Sequence, residues 1–242
     1  MRYYIYAELA GMEPRMWREF EIDGAEMMAD LSFAVMSMFK ATGDHLFAMN
    51  VYQPMDVSIV RKRFTQKHYK KFFSRNNRYD AMDWELLNED EESDDIFSSY
   101  FSIREKRNLE TSTIQEALEV GRLFSLVYDF GDSWEILMQV KKVLEEETYS
   151  PPQIVAGEGH GIVEDIGGVS ALRLLDAVLK GETDEYRDYF SNFIDFEDVE
   201  YDERDVDFTE TLVSLEAFSV EDSNLSLQYD MKGLAINYKY RL

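Results

Sequence analysis

The sequence of 242 residues contains no cysteine and only four prolines, and it has no long hydrophobic run. Without cysteine the chain can form no disulfide bond, no thiolate nucleophile and no cysteine-ligated zinc or iron–sulfur site. The longest apolar stretch, around residues 31–39, is about half of the roughly 20 residues that a membrane-spanning helix needs. These absences exclude several classes of chemistry and predict no membrane partner.

The N-terminus does not have the pattern of a signal peptide. It carries one positive charge at Arg2, but Glu8 follows before an apolar segment of sufficient length is complete. We therefore expect a cytoplasmic protein.

Positive charge is scarce: 25 Lys and Arg stand against 49 Asp and Glu, which gives a formal net charge of -24. The 45% hydrophobic content is sufficient for a sizeable core, so the chain is expected to be globular with an acidic surface. A surface of this charge disfavours general binding of DNA or RNA, which are themselves polyanions.

The first part of the chain has the pattern of an α+β unit. Alternating residues at 3–9 and 17–22 around a Gly-Met-Glu-Pro turn predict a β-hairpin. Strands are expected near 46–52 and 57–60. Between the hairpin and these strands, apolar residues at helical spacing predict a helix that ends at a left-handed Gly43, and they are Met28, Leu31, Val35, Met38 and Phe39.

The second part contains a second hairpin, formed by 123–129 and 134–140 around Phe-Gly-Asp-Ser. A capping-box pair, Thr113 and Glu116, predicts a short helix that ends by Gly121. The glycine-rich loop 150–168 is unsuited to a helix or a central strand. Further elements are predicted as helices from about Ser170 and around Leu212, Leu215 and Phe218, and as a strand at 96–103.

Together these elements predict an α+β fold with a mixed, mostly antiparallel, β-grasp-like sheet and helices packed on one face. We expect one domain at 1–220, whose acidic helical part begins near 169. Residues 221–242, in which Leu225, Leu227 and Tyr229 alternate with polar residues, are predicted to form a C-terminal β-hairpin extension.

Three segments carry a family resemblance: LAGMEPRMWR at 9–18, YDFGDSW at 128–134, and AGEG at 156–159 followed by EDIGG at 164–168. In order and spacing they resemble the plasmid pRiA4b ORF-3-like family over about residues 3–200. Members also occur as passenger proteins of insertion elements and carry a resolvase-like label from that context. The resemblance implies plasmid or mobile-element ancestry without a defined activity.

The chain departs from the family pattern at positions that could carry chemistry. Family members commonly have cysteines where this chain has Ile154, Gly161 and Ile166, and often have a histidine where it has Ile136. Any metal, redox or acid–base role of those family residues is therefore lost here.

The motifs define a candidate groove. Its residues are Trp17, Tyr128, Asp129, Gly131, Asp132, Trp134, Glu158, Glu164 and Asp165. Asp129 and Asp132 could present carboxylates to a cation, but Asp is also common in tight turns, where Gly131 would supply a positive φ. We favour the turn, and we expect Tyr128 and Trp134 to pack in the sheet.

His160 is a weaker candidate metal ligand, with Glu158, Glu164 and Asp165 as neighbours in sequence. The favoured interpretation is a structural loop in which Asp165 caps the helix that begins near 168–170. No cofactor is expected.

The basic segment 61–78 is the one part of the sequence that combines clustered positive charge with interleaved aromatic residues. Its candidate nucleic-acid contacts are Arg61, Arg63, Lys67, Lys70, Lys71 and Arg75. The alternative is an amphipathic segment whose basic face pairs with the acidic block at 80–95.

These observations favour a non-enzymatic interaction or accessory protein with an unidentified protein partner. Nucleic-acid association through the basic segment and a metal-dependent hydrolase in the candidate groove are the alternatives. No catalytic residue is assigned, because the three histidines are scattered and no serine-hydrolase motif accompanies them.

Overall fold

The computed structural model describes residues 1–12, 15–51, 82–85, 107–145, 148–194 and 214–241. These residues form seven strands and five helices. The strands are β1 (Arg2–Leu9), β2 (Trp17–Asp23), β3 (Phe47–Val51), β4 (Met82–Glu85), β5 (Leu123–Tyr128), β6 (Trp134–Leu144) and β7 (Gln153–Glu158). The helices are α1 (Met28–Met38), α2 (Ile114–Ala117), α3 (Gly168–Leu179), α4 (Arg187–Phe190) and α5 (Val220–Arg241).

The strands form one sheet in the order β4-β3-β5-β6-β1-β2-β7. Every described pairing is antiparallel. The predicted α+β class with a mostly antiparallel sheet is therefore confirmed, whereas the β-grasp comparison is not. The glycine-rich segment 150–168 supplies β7, which pairs only at the edge of this sheet, beside β2.

Alternation of side chains along β1 and β2 places one face of the sheet in the core. In β1 the inward set is Tyr3, Ile5, Ala7 and Leu9, all buried, and in β2 it includes Phe20 and Ile22. Because successive residues of a strand point to opposite faces, this pattern fixes the register of the first hairpin. The predicted hairpin is confirmed.

Helix α1 lies in the core, where it contacts both the sheet and α5. Phe33 of α1 meets Phe47 of β3 edge-on at 6.0 Å between ring centroids, and Tyr238 of α5 meets Phe47 at 5.5 Å. These ring contacts tie the C-terminal helix to the first helix and the sheet. The C-terminal segment is thus part of the core.

The prediction of a C-terminal β-hairpin is wrong, because residues 220–241 form the helix α5. The side chains that α5 turns toward the core are Leu227, Met231, Leu234 and Tyr238, spaced by four, three and four residues. That is helical spacing. The strand-like alternation of Leu225, Leu227 and Tyr229 arises because a second apolar stripe occupies another face of the same helix. The division at residue 220 stays a prediction.

Other local predictions have mixed outcomes. The capping box is confirmed: the backbone N–H of Thr113 donates to Oε2 of Glu116 at 2.9 Å. Gly43 is left-handed as predicted, with a φ of 78°. Helix α1 already ends at Met38, however, and Lys40, with a φ of 60°, is the first left-handed residue after it, so the prediction that the helix stops at Gly43 is wrong. Residues 214–219 are not helical.

Several predictions fall outside the described residues. They are the strands near 57–60 and 96–103, the basic segment 61–78, and all of the acidic block except residues 82–85. Within the described part of the chain, no helix is both long and apolar enough to cross a membrane.

Candidate functional site

The turn between β5 and β6 begins at Asp129, which has a φ of 51°. Its Oδ1 accepts the backbone N–H of Gly131 at 2.9 Å, and its carbonyl accepts the N–H of Ser133 at 2.6 Å. The left-handed residues are Asp129 and Ser133, so the predicted positive φ at Gly131 is wrong. Asp tolerates this conformation because its short side chain bonds to the nearby backbone, which is the bond Asp129 makes here.

Asp132 links this turn to the glycine-rich loop. Its Oδ2 accepts the N–H of Gly167 at 3.0 Å, and a Cβ at Gly168 would lie 2.6 Å from its carbonyl oxygen. Gly168 therefore permits the close approach of two backbones. The predicted cap by Asp165 is wrong: α3 begins after Gly167 and has no side-chain cap.

Among the described residues, only one of the two carboxylate oxygens of Glu164 accepts hydrogen bonds. Its Oε1 accepts the Tyr128 hydroxyl at 2.9 Å, the N–H of Thr42 at 2.6 Å and the Thr42 hydroxyl at 3.1 Å. Its Oε2 is buried and has no hydrogen-bond partner among the described residues. Burial first, and then the nearby carboxylate of Glu164, raises the pKa of the Tyr128 phenol, so the phenol stays a donor. One carboxylate oxygen is thus fixed and the other is left unsatisfied.

His45 lies next to that unsatisfied oxygen. Its Nε2 is 3.8 Å from Glu164 Oε2 and 3.3 Å from Asp165 Oδ1, and its Nδ1 is 3.8 Å from Asp129 Oδ1. One ligand atom from each of His45, Asp129 and Asp165 can be chosen so that all lie within 4.8 Å of one another. The four residues place one imidazole among three carboxylates. We call them the His45 cluster: His45, Asp129, Glu164 and Asp165.

His45 is the member of the cluster that sequence reasoning missed. It precedes β3, and the pairing of Phe47 with Tyr128 brings it beside the β5–β6 turn. The backbone N–H of Asp129 donates to the carbonyl of Leu46 at 3.0 Å, which fixes this neighbourhood. The only sequence signal is the polar Gly-Asp-His segment before a strand, and it does not name its partners.

His160 does not belong to this group. It is buried, and its backbone N–H donates to the carbonyl of Leu215 at 2.8 Å. The metal-ligand group among the described residues has its histidine, His45, just before β3 instead.

Trp17 and Glu158 meet at the β2–β7 edge rather than at the His45 cluster. The indole N–H of Trp17 donates to Glu158 Oε2 at 2.9 Å, and its ring stacks on Tyr6 with centroids 6.0 Å apart. Trp134 is fully buried in the core. The predicted groove therefore separates into the His45 cluster with its supporting turn, a core residue, and this edge pair.

Arg18, the last residue of the first motif, is fully buried, and its side chain binds the backbone at the end of the AGEG segment of the third motif. Its Nε donates to the carbonyl of Met38 at 3.0 Å. The two terminal nitrogens donate at 2.7–3.0 Å to the carbonyls of Trp17, Glu158, Gly159 and His160. The guanidinium also lies 3.5 Å from the centroid of the Phe218 ring. Burial lowers the pKa of Arg18 to about 9, which leaves it charged at neutral pH.

All five N–H donors of this guanidinium therefore have a carbonyl acceptor. The turn of backbone that follows β7 is wrapped around one side chain of β2, so the first and third motifs are joined through Arg18. This contact is structural.

The basic segment 61–78 lies outside the described residues. Nucleic-acid binding by Arg61, Arg63, Lys67, Lys70, Lys71 and Arg75 therefore stays a prediction.

Comparison with known proteins places these motifs in context. The sequence profile of a family described as plasmid pRiA4b ORF-3-like protein matches residues 2–210. A crystal structure of a protein of unknown function from Methanosarcina mazei Go1 is similar, with a TM-score of 0.61 and 19% identity over 91% of this chain and 95% of that chain. At that identity the likeness shows the fold alone. No curated protein matches.

Proposed function

We propose that this chain, which belongs to the plasmid pRiA4b ORF-3-like protein family, is an accessory protein that binds one divalent cation in the His45 cluster. The observation that carries the proposal is the convergence of His45, Asp129 and Asp165, whose ligand atoms lie within 4.8 Å of one another. They come from three separate segments: the residues just before β3, the turn after β5 and the loop before α3. Only the folded chain brings these three segments together, which is what is expected of a specific binding site.

The unsatisfied oxygen of Glu164 supports the same proposal independently. Its Oε2 is buried without a hydrogen-bond donor among the described residues, although Oε1 accepts three bonds. A buried carboxylate oxygen without a partner is costly. A cation held by the neighbouring ligands would compensate that charge, and Tyr128 and Thr42 would orient Glu164 toward it, as outer-shell groups commonly do.

The donor set favours a transition metal of the zinc or manganese type. Ca²⁺ and Mg²⁺ prefer sites made of oxygen ligands only, whereas an imidazole with carboxylates suits Zn²⁺ and its neighbours. Zinc bonds of about 2.0–2.2 Å require ligand atoms about 3.3–3.6 Å apart in a tetrahedron. The spacing of 3.3 Å between His45 Nε2 and Asp165 Oδ1 already fits, and the third ligand atom, from Asp129, lies within 4.8 Å of both residues' ligand atoms.

A metal-dependent hydrolase is the second candidate, because the site opens to solvent. The Asp165 side chain is 70% exposed and that of His45 31%. A cation with an open position can bind a water molecule and lower its pKa to about 7, which makes it a nucleophile. Hydrolysis of a chromogenic phosphate or acetate ester that requires both Zn²⁺ or Mn²⁺ and His45 supports this candidate, and equal rates with His45→Gln exclude it.

Thermal unfolding of the chelator-treated full chain tests cation binding. A ligand that binds only the folded state raises the melting temperature. We expect a rise with Zn²⁺ or Mn²⁺ that exceeds the rise with Ca²⁺ or Mg²⁺, and we expect its loss in His45→Gln, Asp129→Asn and Asp165→Asn.

His160→Gln is the matched control, because His160 lies outside the cluster and should leave the response to the cation unchanged. The control is necessary because a chain with a net charge of -24 attracts cations everywhere on its surface. An equal rise in wild type and His45→Gln contradicts the proposed site.

A further inference from the structure

Helix α5 has apolar residues on two faces. One stripe, made of Leu227, Met231, Leu234 and Tyr238, packs into the core. The other contains Leu225, Tyr229 and Ile236, which are 80%, 82% and 53% exposed. At 3.6 residues per turn these three lie within about 40° of one another and roughly opposite the buried stripe. An aligned apolar stripe open to solvent is typical of an interaction surface.

We propose that this exposed stripe is the contact between two copies of this chain, whose α5 helices pack antiparallel about a two-fold axis near residues 230 and 231. A helix of 22 residues is about 33 Å long, so two of them offer an extended contact. The axis pairs Leu225 of one copy with Ile236 of the other, and the reverse pair follows by symmetry. Such a contact is self-complementary, as a two-fold interface must be.

The charges along α5 favour this antiparallel pairing. Glu221 and Asp222 occupy the first turn of the helix. In the antiparallel pair, the two acidic first turns lie at opposite ends of the contact, so they do not face each other. The two helix dipoles are also opposed, which is the favourable arrangement. A parallel pair would place acid against acid.

Gly233 provides room for the largest side chain of the stripe. A Cβ at Gly233 would meet no atom within 4 Å, and the residue borders a groove of about 710 Å³ between α5 and residues 37–42. Long side chains on a helix lean toward its N-terminus. Tyr229 of the second copy, placed opposite Lys232, therefore leans toward Gly233 and the groove.

Sedimentation equilibrium of the full chain in chelator tests the proposal separately from cation binding. We expect twice the monomer mass of 28.4 kDa, with dissociation on dilution from about 100 to about 1 µM, the range of a modest interface. Leu225→Lys and Ile236→Lys should be monomers with unchanged melting of the monomer fold. Gln228→Lys, exposed but off the stripe, adds the same charge and should still form dimers.

A pair of cysteines tests the orientation of the helices, because the sequence has no cysteine of its own. On oxidation, the double variant Leu225→Cys with Ile236→Cys should form cross-linked dimers, whereas Leu225→Cys alone should not, since an antiparallel pair keeps the two copies of residue 225 about 16 Å apart along the helix. A chain that is monomeric at every concentration overturns the proposal. So does a dimer that Leu225→Lys leaves intact, or an assembly that grows beyond two copies.

Discussion

The hydroxyl of Tyr128 donates a hydrogen bond of 2.9 Å to Oε1 of Glu164, and this bond joins the second sequence motif to the third. It leaves Oε2 of the same carboxylate directed toward His45, at 3.8 Å. The chemistry of the site depends on this division, in which one oxygen is held by the protein and the other remains available.

Removal of this hydrogen bond should weaken the cation site without destroying it. We expect Tyr128→Phe to lower the affinity for Zn²⁺ about 10–100-fold, the usual effect of losing an outer-shell partner. Titration with a competing fluorescent chelator measures the affinity. Tyr4→Phe is the matched control, because Tyr4 bonds to Glu19 at 2.6 Å, a carboxylate outside the His45 cluster, and an equal loss in both variants contradicts the assigned role.

Arg18 should be among the most important single side chains for stability. Arg18→Met removes five donors and leaves buried carbonyl oxygens unpaired, each at a cost of about 1–3 kcal/mol. We expect a loss of at least about 3 kcal/mol in the free energy of unfolding, measured in urea. Arg15→Met removes a half-exposed ion pair with Glu8 and should cost about 0–1 kcal/mol. Comparable losses in both variants refute the structural role of Arg18.

Two glycines with positive φ separate the effect of close packing from that of backbone strain. A Cβ at Gly168, where φ is 74°, would lie 2.6 Å from the carbonyl oxygen of Asp132, whereas a Cβ at Gly121, where φ is 85°, would meet nothing within 4 Å. Gly121→Ala should therefore cost about 1–2 kcal/mol from strain. Gly168→Ala should cost clearly more, because the backbone must also move. Equal midpoints in urea would show that the close approach is absent.

Buried phenols should make the fold sensitive to alkali. Burial, with a smaller contribution from Glu110, raises the pKa of Tyr238 from 10.0 to about 12. Between these values the unfolded chain loses the proton and the folded chain keeps it, so stability falls as pH rises, by at most about 1.4 kcal/mol per pH unit for one group. In urea titrations between pH 10 and 12, the free energy of unfolding of Tyr238→Phe should fall less steeply with pH than that of the wild type. An unchanged slope contradicts this assignment.

Local signals predicted the elements whose pattern depends on near neighbours. The two hairpins followed from alternation and turn residues, and the capping box followed from Thr113 and Glu116, because these interactions lie within a few residues. The prediction for the C-terminal segment was wrong for a physical reason, because two apolar stripes on one helix imitate the alternation of a strand. Tertiary packing of Leu227 and Tyr238 on the core decides between helix and strand.

The candidate site was predictable only in part. Tyr128, Asp129, Glu164 and Asp165 came from motifs, since turns and loops concentrate such residues. His45 could not be found this way, because its neighbours depend on β3 pairing with β5 across a long separation in sequence. Arg18 was missed because a buried arginine that bonds to carbonyls leaves no acidic partner in the sequence to mark it.

Calorimetric titration of Zn²⁺ into the metal-free full chain tests the central claim most directly, because it counts sites and measures affinity at once. The proposed function predicts one saturable site per chain that is absent in His45→Gln and retained in His160→Gln. Weak, unsaturable binding by the wild-type chain, or the same single site in His45→Gln, would contradict it.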